Sequence, residues 1–406
     1  MTTKDTGSPA FARGFSFVIP PSAKVYIRPL VIPFGPEDHT DSQSFVICSG
    51  WSRYRDVEII WRPVAEDGRA DTGRADIRHA SVGRVVVGRA DLESQMGQQA
   101  EPVRSQISIQ LNRLDAAHSP IITQSRNDDP LRTLSLASPN IMGVLNVTPD
   151  SFSDGGKNDE PDRAVAAACQ LAEAGAAIID IGGQSTRPGA EPVGAEEELG
   201  RVLPVLDGLT SSSCTRPLIS IDTYLSDVMA RTAAAGVDII NDVTALTGDP
   251  NSLQTAAGSG LPVILMHMQG EPRTMQSNPH YAHVVLDVFD ALERRVQACE
   301  SAGIARNRII LDPGIGFGKT VTHNLQLLQY LSLFHCLGCP LLLGVSRKSF
   351  IAKLSRDEDA SQRLPGTLAA TLAGVAQGVQ LHRMHDVAET VQANAIFQAI
   401  VRGRSV

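Results

Sequence analysis

Eight short apolar segments recur between residues 141 and 385, and each ends in polar or glycine residues. They span residues 141–146, 176–183, 217–223, 238–244, 262–268, 308–314, 340–346 and 379–385. Strands that are covered by helices on both faces are apolar without alternation, because neither face meets water. The intervening stretches predict helices at 162–174, 196–209, 226–235, 283–302, 324–333 and 367–377, with a last one at 387–400. This pattern predicts an α/β fold, a (β/α)₈ TIM barrel, with a doubly wound open sheet as the alternative.

The N-terminal third has a different pattern. Short apolar alternations occur at residues 25–33, 57–61, 82–87 and 107–111, separated by glycine, proline and charged residues. They indicate a small strand-rich or α+β N-terminal domain over residues 1–125, whose function the sequence does not reveal. Residues 126–138 are rich in Asp, Ser, Asn and Pro, as is typical of a linker, so the barrel is expected to span 139–406.

Composition excludes several classes of protein. The 406 residues include 36 Lys and Arg against 44 Asp and Glu, and a formal net charge of −8 disfavours general nucleic-acid binding. No apolar stretch approaches the roughly 18 residues of a membrane span. The six cysteines are irregularly spaced, which favours free thiols, and the start of the chain, with Asp5, does not resemble a secretory signal. We therefore expect a cytoplasmic protein.

Polar side chains stand at the ends of all eight apolar segments. They are Asn146, Asp180, Asp222, Asn241, Asp242, His267, Asp312, Ser346, Arg347, Lys348, Arg383 and His385. The carboxyl ends of barrel strands carry the chemistry of this fold, so these residues predict an active site at that rim. Each of them alone could be a turn or capping residue, but together they point to function.

The rim residues divide into two chemical groups. Lys348, Arg383, His385 and Arg187 can surround a polyanion, and the amide oxygen of Asn146 is a suitable ligand for Mg²⁺. This first group predicts a pyrophosphate pocket.

The second group consists of Asp312, Asn241 and Asp222, which offer hydrogen-bond acceptors and an amide. They suit a heterocycle with an amino group and ring N–H donors. The second group therefore predicts a pterin-like pocket.

Two motifs resemble well-known ligand-binding sequences without matching them. Residues 312–320, DPGIGFGKT, have Pro313 where a P-loop needs its first glycine and Lys319 where a dinucleotide fingerprint needs its last. We interpret these glycines as permitting close approach of a ligand, with Phe317 projecting over it. Cys336 and Cys339 form a lone CxxC pair near His335, and without a second pair it does not predict zinc or redox function.

Eight ordered motifs carry a family resemblance. They are IMGVLNVTPDSFSDGG (141–156), IDIGGQSTRPGA (179–190), SIDT (220–223), IINDV (239–243), LMHMQGEPRTMQ (265–276), LDPGIGFGKTVTHNLQLL (311–328), GVSRKSFI (344–351) and RMHDV (383–387). Together they resemble the dihydropteroate synthases over residues 139–401, about two thirds of the chain. Residues 1–138 are outside the resemblance.

The resemblance implies a reaction and a partner state. A member of this family condenses 6-hydroxymethyl-7,8-dihydropterin diphosphate with 4-aminobenzoate, using Mg²⁺, to give 7,8-dihydropteroate and pyrophosphate, and is a target of sulfonamides. It also implies a homodimer that binds neither nucleic acid nor membrane.

The resemblance also assigns roles to individual residues of this chain. The pterin-binding residues are Asp222, Asn241, Asp312, Phe317 and Lys348; the diphosphate-binding residues are Asn146, which also holds the metal, Arg187, Arg383 and His385; the aminobenzoate-binding residues are Phe152, Thr186, Arg187, Pro188 and Ser349. The residues expected to be catalytic are Asp222, Arg383, His385 and Lys348. Gln184 departs from the family pattern, which usually has Glu at this position.

The chemistry favours a dissociative substitution, in which pyrophosphate leaves before the arylamine attacks. The loops at 147–160 and 184–195 are rich in Gly, Pro and Ser, and we expect them to close over the bound diphosphate. Two alternatives stay open: a methyltetrahydrofolate-dependent corrinoid methyltransferase, and a catalytically silent pterin-binding subunit. The first has no need of the anion-binding residues, and the second has no need of an intact rim.

Overall fold

The computed structural model describes residues 17–33, 45–48, 51–63, 82–122, 132–148, 160–184, 193–212, 214, 217–271 and 274–402. Its N-terminal part contains an antiparallel sheet of β1 (Lys24–Pro33), β2 (Phe45–Ile47), β3 (Ser52–Arg62) and β4 (Gly83–Gly88). β3 is central, with β1 along one edge and β2 and β4 in succession along the other. Helices α1 (Arg89–Gln95) and α2 (Glu101–Asp115) follow, with a 3₁₀ turn at Met96–Gln98 between them. The expected strand-rich N-terminal region is present.

One predicted strand of this region is wrong. Residues 107–111 lie inside helix α2, whose buried side chains include Val103, Ile107, Leu111 and Leu114. These positions recur every three or four residues, which is the period of a helix face. The short window 107–111 also reads as apolar alternation, so a strand and a helix could not be distinguished within it.

The remaining chain forms a barrel of eight parallel strands. They are β7 (Asn140–Asn146), β8 (Ile178–Gly182), β9 (Leu218–Asp222), β10 (Ile239–Asp242), β11 (Val263–Met266), β12 (Ile309–Asp312), β13 (Leu342–Leu343) and β14 (Leu381–Met384). The hydrogen-bonded order is β12-β11-β10-β9-β8-β7-β14-β13, and a bridge between Leu311 and Leu341 joins its two ends. Each predicted segment contains one strand, and the closed sheet excludes the open alternative.

Helices surround this barrel. They are α3 (Glu160–Glu173), α4 (Ala195–Ser211), α5 (Ser226–Ala235), α6 (Ser252–Ser259), α7 (Val284–Ser301), α8 (Val321–Gln329), α9 (Ser349–Leu354), α10 (Leu364–Ala376) and α11 (Val387–Arg402), with 3₁₀ helices at Arg306–Arg308, Leu331–Leu337 and Ala360–Gln362. All seven predicted helices overlap one of these. The short helix α6 was not predicted, and the predicted helix 324–333 extends past the end of α8 into the 3₁₀ helix Leu331–Leu337.

An apolar floor closes the amino-terminal end of the barrel. Each strand contributes one buried residue to it: Met142, Ile178, Leu218, Ile239, Ile264, Ile310, Leu342 and Leu381. A short hairpin of β5 (Ile121–Ile122) and β6 (Thr133–Leu134) packs there, adding Ile121 and Leu136 to the same cluster. Residues 132–138 belong to the segment that the sequence predicts to be a linker. Through Leu136 they also close the amino-terminal end of the barrel. Any ligand must enter from the opposite end.

The N-terminal sheet packs against helix α7 through partly buried ion pairs. Lys24 Nζ lies 2.6 Å from Glu293 and 2.9 Å from Asp290. Arg62 contacts Asp290 and lies 2.7 Å from Asp287. Apolar residues of both parts belong to one continuous core cluster. The two parts therefore share a substantial interior.

The expectation that all cysteines are free is wrong for two of them. Cys169 on α3 and Cys214, just after α4, form a disulfide, because these neighbouring helices bring together residues that are 45 positions apart. Cys48, Cys299, Cys336 and Cys339 are buried free thiols.

Among the described residues, no helix is both long enough and apolar enough to cross a membrane.

Candidate active site

The alternation of side chains along each strand places the polar residues above the apolar floor. Asp180, Asn241, Asp312 and Arg383 each follow a floor residue by two positions, so they point into the barrel on the same side as that residue. Asp222 follows its floor residue by four positions and lies one layer higher. This geometry, rather than any single motif, assembles the interior polar group.

Arg383 is the centre of this group. Its Nε donates to Asp180 Oδ2 at 2.6 Å, and its Nη2 donates to Asp222 Oδ2 at 2.8 Å. Asn241 Nδ2 also donates to Asp180, at 3.1 and 3.3 Å. From sequence, Arg383 was grouped with the anion-binding residues and Asp180 had no assigned role. The structure instead brings Arg383 into contact with a carboxylate of the other group, and it makes Asp180 the shared partner.

The charges in this cluster are unbalanced, because one guanidinium serves two buried carboxylates. Burial raises the pKa of Asp222 to about 7, against the opposing attraction of Arg383, and the nearby Asp180 raises it further. Burial acts to lower the pKa of Arg383, but Asp180 and Asp222 outweigh it and hold that pKa above its usual range. The guanidinium therefore stays charged, while Asp222 can exchange a proton near neutral pH.

Asp312 and Lys348 are two further charged groups that influence each other electrostatically, beside an aromatic ring. Asp312 accepts a hydrogen bond from the Gly314 N–H at 2.7 Å, and burial raises its pKa to about 6 against that bond and the charge of Lys348. Burial lowers the pKa of Lys348 to about 8, and Asp312 opposes this shift. Lys348 Nζ lies 4.0 Å from the centroid of the Phe317 ring, a cation–π distance. All three predicted residues therefore lie in one place.

Lys319 is a site residue that the sequence reasoning missed. It is buried, and its Nζ donates to the carbonyl oxygens of Gly314, Phe317 and His267 at 2.8, 2.9 and 3.1 Å. Burial lowers its pKa to about 7. The GKT sequence was considered only as a phosphate motif, whereas this lysine holds its own loop together. The carbonyl oxygens that surround this lysine could not be predicted from the spacing of residues in the sequence.

Close packing explains the first glycine of this loop. Gly314 has a φ of +69°, and a Cβ there would stand 1.9 Å from the His267 carbonyl oxygen. Only glycine fits both constraints. The glycines therefore serve the approach of one loop to another, in addition to any approach to a ligand.

The residues predicted to bind the diphosphate are described in part. The Oδ1 of Asn146 and the Oδ2 of Asp222 lie 3.7 and 3.9 Å from the point where a Cβ on Gly182 would stand, so both flank one small space at the rim. His385 Nδ1 is 2.9 Å from Ser346 Oγ, which also accepts from the His385 N–H at 3.1 Å. Arg187 lies outside the described residues.

The aminobenzoate residues are mostly outside the described part of the chain. Phe152, Thr186, Arg187 and Pro188 lie outside the described residues, as does most of the loops 147–160 and 184–195. Ser349 is exposed and begins helix α9, next to Lys348. Gln184, the departure from the family pattern, donates from Nε2 to Tyr224 Oη at 3.4 Å.

Two of the polar rim residues have structural contacts. Asp242 accepts hydrogen bonds from the Thr244 N–H at 2.6 Å, the Thr244 hydroxyl at 2.7 Å and the Leu246 N–H at 3.0 Å, which fixes the turn after β10. His267 Nδ1 is 3.1 Å from Lys319 Nζ, and burial lowers its pKa well below the usual range. His267 thus supports the glycine loop.

A closed barrel with a buried acid, amide and arginine cluster at its open end defines a class of small-molecule enzyme that binds a polar heterocycle. The family described as "Pterin binding enzyme" matches residues 142–385. The chain belongs to the dihydropteroate synthase family, whose members are transferases. It is similar to the dihydropteroate synthases of Escherichia coli K12, with 46% identity over 67% of this chain and 95% of the relative, and of Haemophilus influenzae, with 47% identity over 66% and 96%.

Solved structures agree with this assignment. The dihydropteroate synthase of Yersinia pestis in a sulfonamide complex is 44% identical, with a TM-score of 0.63 over 69% of this chain and 98% of that chain. The Xanthomonas albilineans dihydropteroate synthase in complex with 7,8-dihydropteroate is 41% identical, with a TM-score of 0.58 over 66% of this chain and 95% of that chain. The similarity thus covers the barrel of this chain.

Proposed function

We infer that this chain catalyses the synthesis of 7,8-dihydropteroate from 6-hydroxymethyl-7,8-dihydropterin diphosphate and 4-aminobenzoate, releasing pyrophosphate, in folate biosynthesis. The observation that carries this inference is the Arg383 cluster with Asp180, Asp222 and Asn241, set beside Asp312 above a closed apolar floor. Such a site offers several fixed acceptors to the N–H groups of a pterin. Solved relatives crystallised with 4-aminobenzoic acid and with 7,8-dihydropteroate support the same substrates.

The pterin ring is held by the deep half of the site. We propose that Asp222, Asn241 and Asp312 bond to its polar edge, while Lys348 and Phe317 line the same space. Burial raises the pKa values of Asp222 and Asp312, because the surrounding protein stabilises their charged forms less well than water does. Donors from the ring would stabilise the charged forms, so pterin binding and ionisation of these carboxyl groups are coupled.

The diphosphate is held nearer the rim, by Asn146, Arg187, Arg383 and His385 in this proposal. Asn146 Oδ1 suits Mg²⁺ because this ion prefers hard oxygen ligands, and the oxygen faces the same small space as Asp222. When bound, Mg²⁺ would neutralise charge on the leaving pyrophosphate. Arg383 would contribute a permanent positive charge to the same group.

The reaction follows a dissociative course. The bond between the pterin methylene carbon and the diphosphate oxygen breaks first, and its electron pair leaves with pyrophosphate. The nitrogen lone pair of 4-aminobenzoate then forms the new C–N bond, and its proton goes to solvent. Asp222 stabilises positive charge that develops on the pterin. A strong general base is unnecessary, because an arylamine is already neutral at pH 7.

Aminobenzoate binds at the outer edge in this proposal, between Phe152, Thr186, Arg187, Pro188 and Ser349. Ser349 follows Lys348 directly, so the aminobenzoate and pterin pockets would share a wall. Closure of the two loops over the diphosphate would exclude water from the methylene cation.

The experiment that tests this function is direct assay of the full-length protein. With Mg²⁺ and both substrates it should form 7,8-dihydropteroate and pyrophosphate in equal amounts, and a sulfonamide should compete with 4-aminobenzoate. Folded protein that binds the pterin but forms no product would reject the proposal.

We also propose a cytoplasmic homodimer. Leu325 and Leu354 are exposed beside a surface groove of about 710 Å³ between α8, α9 and α10, and a second copy of the chain would cover this apolar face. Light scattering of the full-length protein should give twice the monomer mass, and Leu354→Glu should shift it toward the monomer.

A further inference from the structure

Three side chains with metal-binding atoms meet where the N-terminal region packs on the barrel. Cys48 Sγ, one nitrogen of His118 and one nitrogen of His335 lie within 4.8 Å of one another. Cys48 and His335 are buried and His118 is half-buried. Within the described ranges, this is the one group of three His, Cys, Asp or Glu side chains that comes this close.

Each histidine of the cluster has one buried ring nitrogen without a hydrogen-bond partner in the described part of the chain. His118 Nε2 and His335 Nδ1 are buried and have no hydrogen-bond partner among the described residues. The other ring nitrogen of His335, Nε2, is 2.9 Å from the Gln377 carbonyl oxygen, which can only accept. Nε2 therefore carries the proton, and Nδ1 keeps its lone pair. A second nitrogen bonded to a backbone carbonyl is also the usual arrangement of a metal-bound histidine.

Backbone hydrogen bonds hold the first two ligands in position. The His118 N–H donates to the Cys48 carbonyl at 2.6 Å, and the Cys48 N–H donates to the Leu114 carbonyl at 3.2 Å. Cys48 has a φ of +38°, so the chain after β2 turns sharply at this residue. His335 comes from the 3₁₀ helix Leu331–Leu337 of the barrel. The cluster thus joins two segments of the N-terminal region to one of the barrel.

We propose that Cys48, His118 and His335 bind a zinc ion that fastens the N-terminal region to the barrel. One thiolate and two neutral imidazoles form a donor set that suits Zn²⁺. Ligand atoms of a tetrahedral zinc are roughly 3.3–3.6 Å apart, so small side-chain rotations would close the present spacing. Cys48 would release its thiol proton to solvent on binding, and a water molecule would complete the coordination.

The surroundings agree with this assignment. Each imidazole has a buried ring nitrogen that makes no hydrogen bond to the described residues and can serve as a neutral ligand. The Cys48 thiol makes only long contacts, to the carbonyl oxygens of Leu114 at 3.4 Å and Arg113 at 3.8 Å. The thiol of Cys336, next in sequence to His335, instead donates to the Ile27 carbonyl at 2.9 Å. We therefore assign Cys336 to packing between β1 and the barrel. In the sequence, Cys336 and Cys339 had no second CxxC pair with which to bind a metal. In the structure, His335 lies beside a different set of ligands, Cys48 and His118.

The test uses the full-length protein, freed of metal with a chelator and then titrated with Zn²⁺ or Co²⁺. We expect one ion per chain, a thiolate-to-cobalt charge-transfer absorption, and a rise in Tm with Zn²⁺. Cys48→Ser and His118→Gln should each lose stoichiometric binding and the rise in Tm. Cys299→Ser, at another buried thiol on α7, is the matched control and should retain both.

Circular dichroism of each metal-free variant checks that it is folded, and His118→Gln, at a half-buried position, provides a second test should Cys48→Ser not fold. Folded wild-type protein that takes up no zinc would overturn the proposal. Binding of wild-type strength by both Cys48→Ser and His118→Gln would overturn it as well, because the ion would then lie elsewhere.

Discussion

Arg383 Nη2 donates to Asp222 Oδ2 at 2.8 Å, linking two barrel strands, β14 and β9, that are not neighbours in the sheet. The same guanidinium also serves Asp180, so the free site already neutralises most of its positive charge. A bound diphosphate can pair with Arg383 only by competing with Asp180 and Asp222 for its guanidinium. Substrate binding and the protonation of Asp222 are therefore expected to be coupled through Arg383.

The rate should depend on pH with two limbs. Asp312, with a pKa of about 6, must be ionised to accept from the pterin, and Lys348, with a pKa of about 8, must be protonated. We expect kcat/KM to rise between pH 6 and 7, as Asp312 and Asp222 ionise, and to fall above pH 8, with these values belonging to the coupled site. Asp312→Asn should leave only the part of the acidic limb that belongs to Asp222 and lower kcat/KM by about 10- to 150-fold, the loss of one charged hydrogen bond. Lys353→Met, at an exposed lysine, should leave both limbs in place.

Lys319 should act as a positioning residue for the glycine loop. Lys319→Met keeps the volume but leaves the carbonyls of Gly314, Phe317 and His267 without their donor. We expect a KM for the pterin substrate raised about 10-fold with kcat changed much less, the pattern of lost uniform binding. Steady-state kinetics with the pterin varied would show this split. A fall in kcat alone would instead place Lys319 in the chemical step.

Two glycine substitutions should have opposite effects on stability. Gly314→Ala places a Cβ against the His267 carbonyl at a positive φ, and we expect it to destabilise the fold by about 2–3 kcal/mol. Gly258→Ala lies in helix α6 with open space around it, and it should stabilise by about 0.5–1 kcal/mol. Urea unfolding measures both. Equal effects of the two changes would contradict the packing account.

The junction between the N-terminal region and α7 should depend on Arg62. Arg62→Ala leaves the buried Asp290 with Lys24 and the Tyr26 hydroxyl but without its guanidinium, so we expect a loss of about 2–4 kcal/mol in the free energy of unfolding. The exposed pair of Arg231 and Glu196, 49% and 86% exposed, is the matched control, and Arg231→Ala should cost less than about 1 kcal/mol. Similar losses in the two variants would mean that the junction contributes little.

The barrel could be predicted because each of its eight strands is a short apolar segment that ends in polar or glycine residues. The polar residues were visible for the same reason, since each ends an apolar run. The role of Asp180 was not visible, because only the register above the floor residue Ile178 shows that it faces inward. In the N-terminal region, residues 107–111 fit two periods, and the helix becomes clear only over the longer window from Val103 to Leu114, which packs against β1 and the 3₁₀ helix Leu331–Leu337.

Long-range clusters account for what sequence could not supply. Cys48, His118 and His335 are far apart along the chain and meet because helix α2 packs against the 3₁₀ helix Leu331–Leu337. The role of Lys319 could not be predicted, because the acceptors of its hydrogen bonds are backbone carbonyls, which every residue has. The disulfide of Cys169 and Cys214 depends in the same way on the packing of α3 against α4.

The most direct measurement is release of pyrophosphate from 6-hydroxymethyl-7,8-dihydropterin diphosphate with Mg²⁺, with and without 4-aminobenzoate. The wild-type protein should release it in an aminobenzoate-dependent manner, and Arg383→Ala should reduce kcat/KM by about 10²–10³-fold, while Arg231→Ala keeps the full rate. An Arg383→Ala variant that is folded and retains the full rate would contradict the central role of the Arg383 cluster.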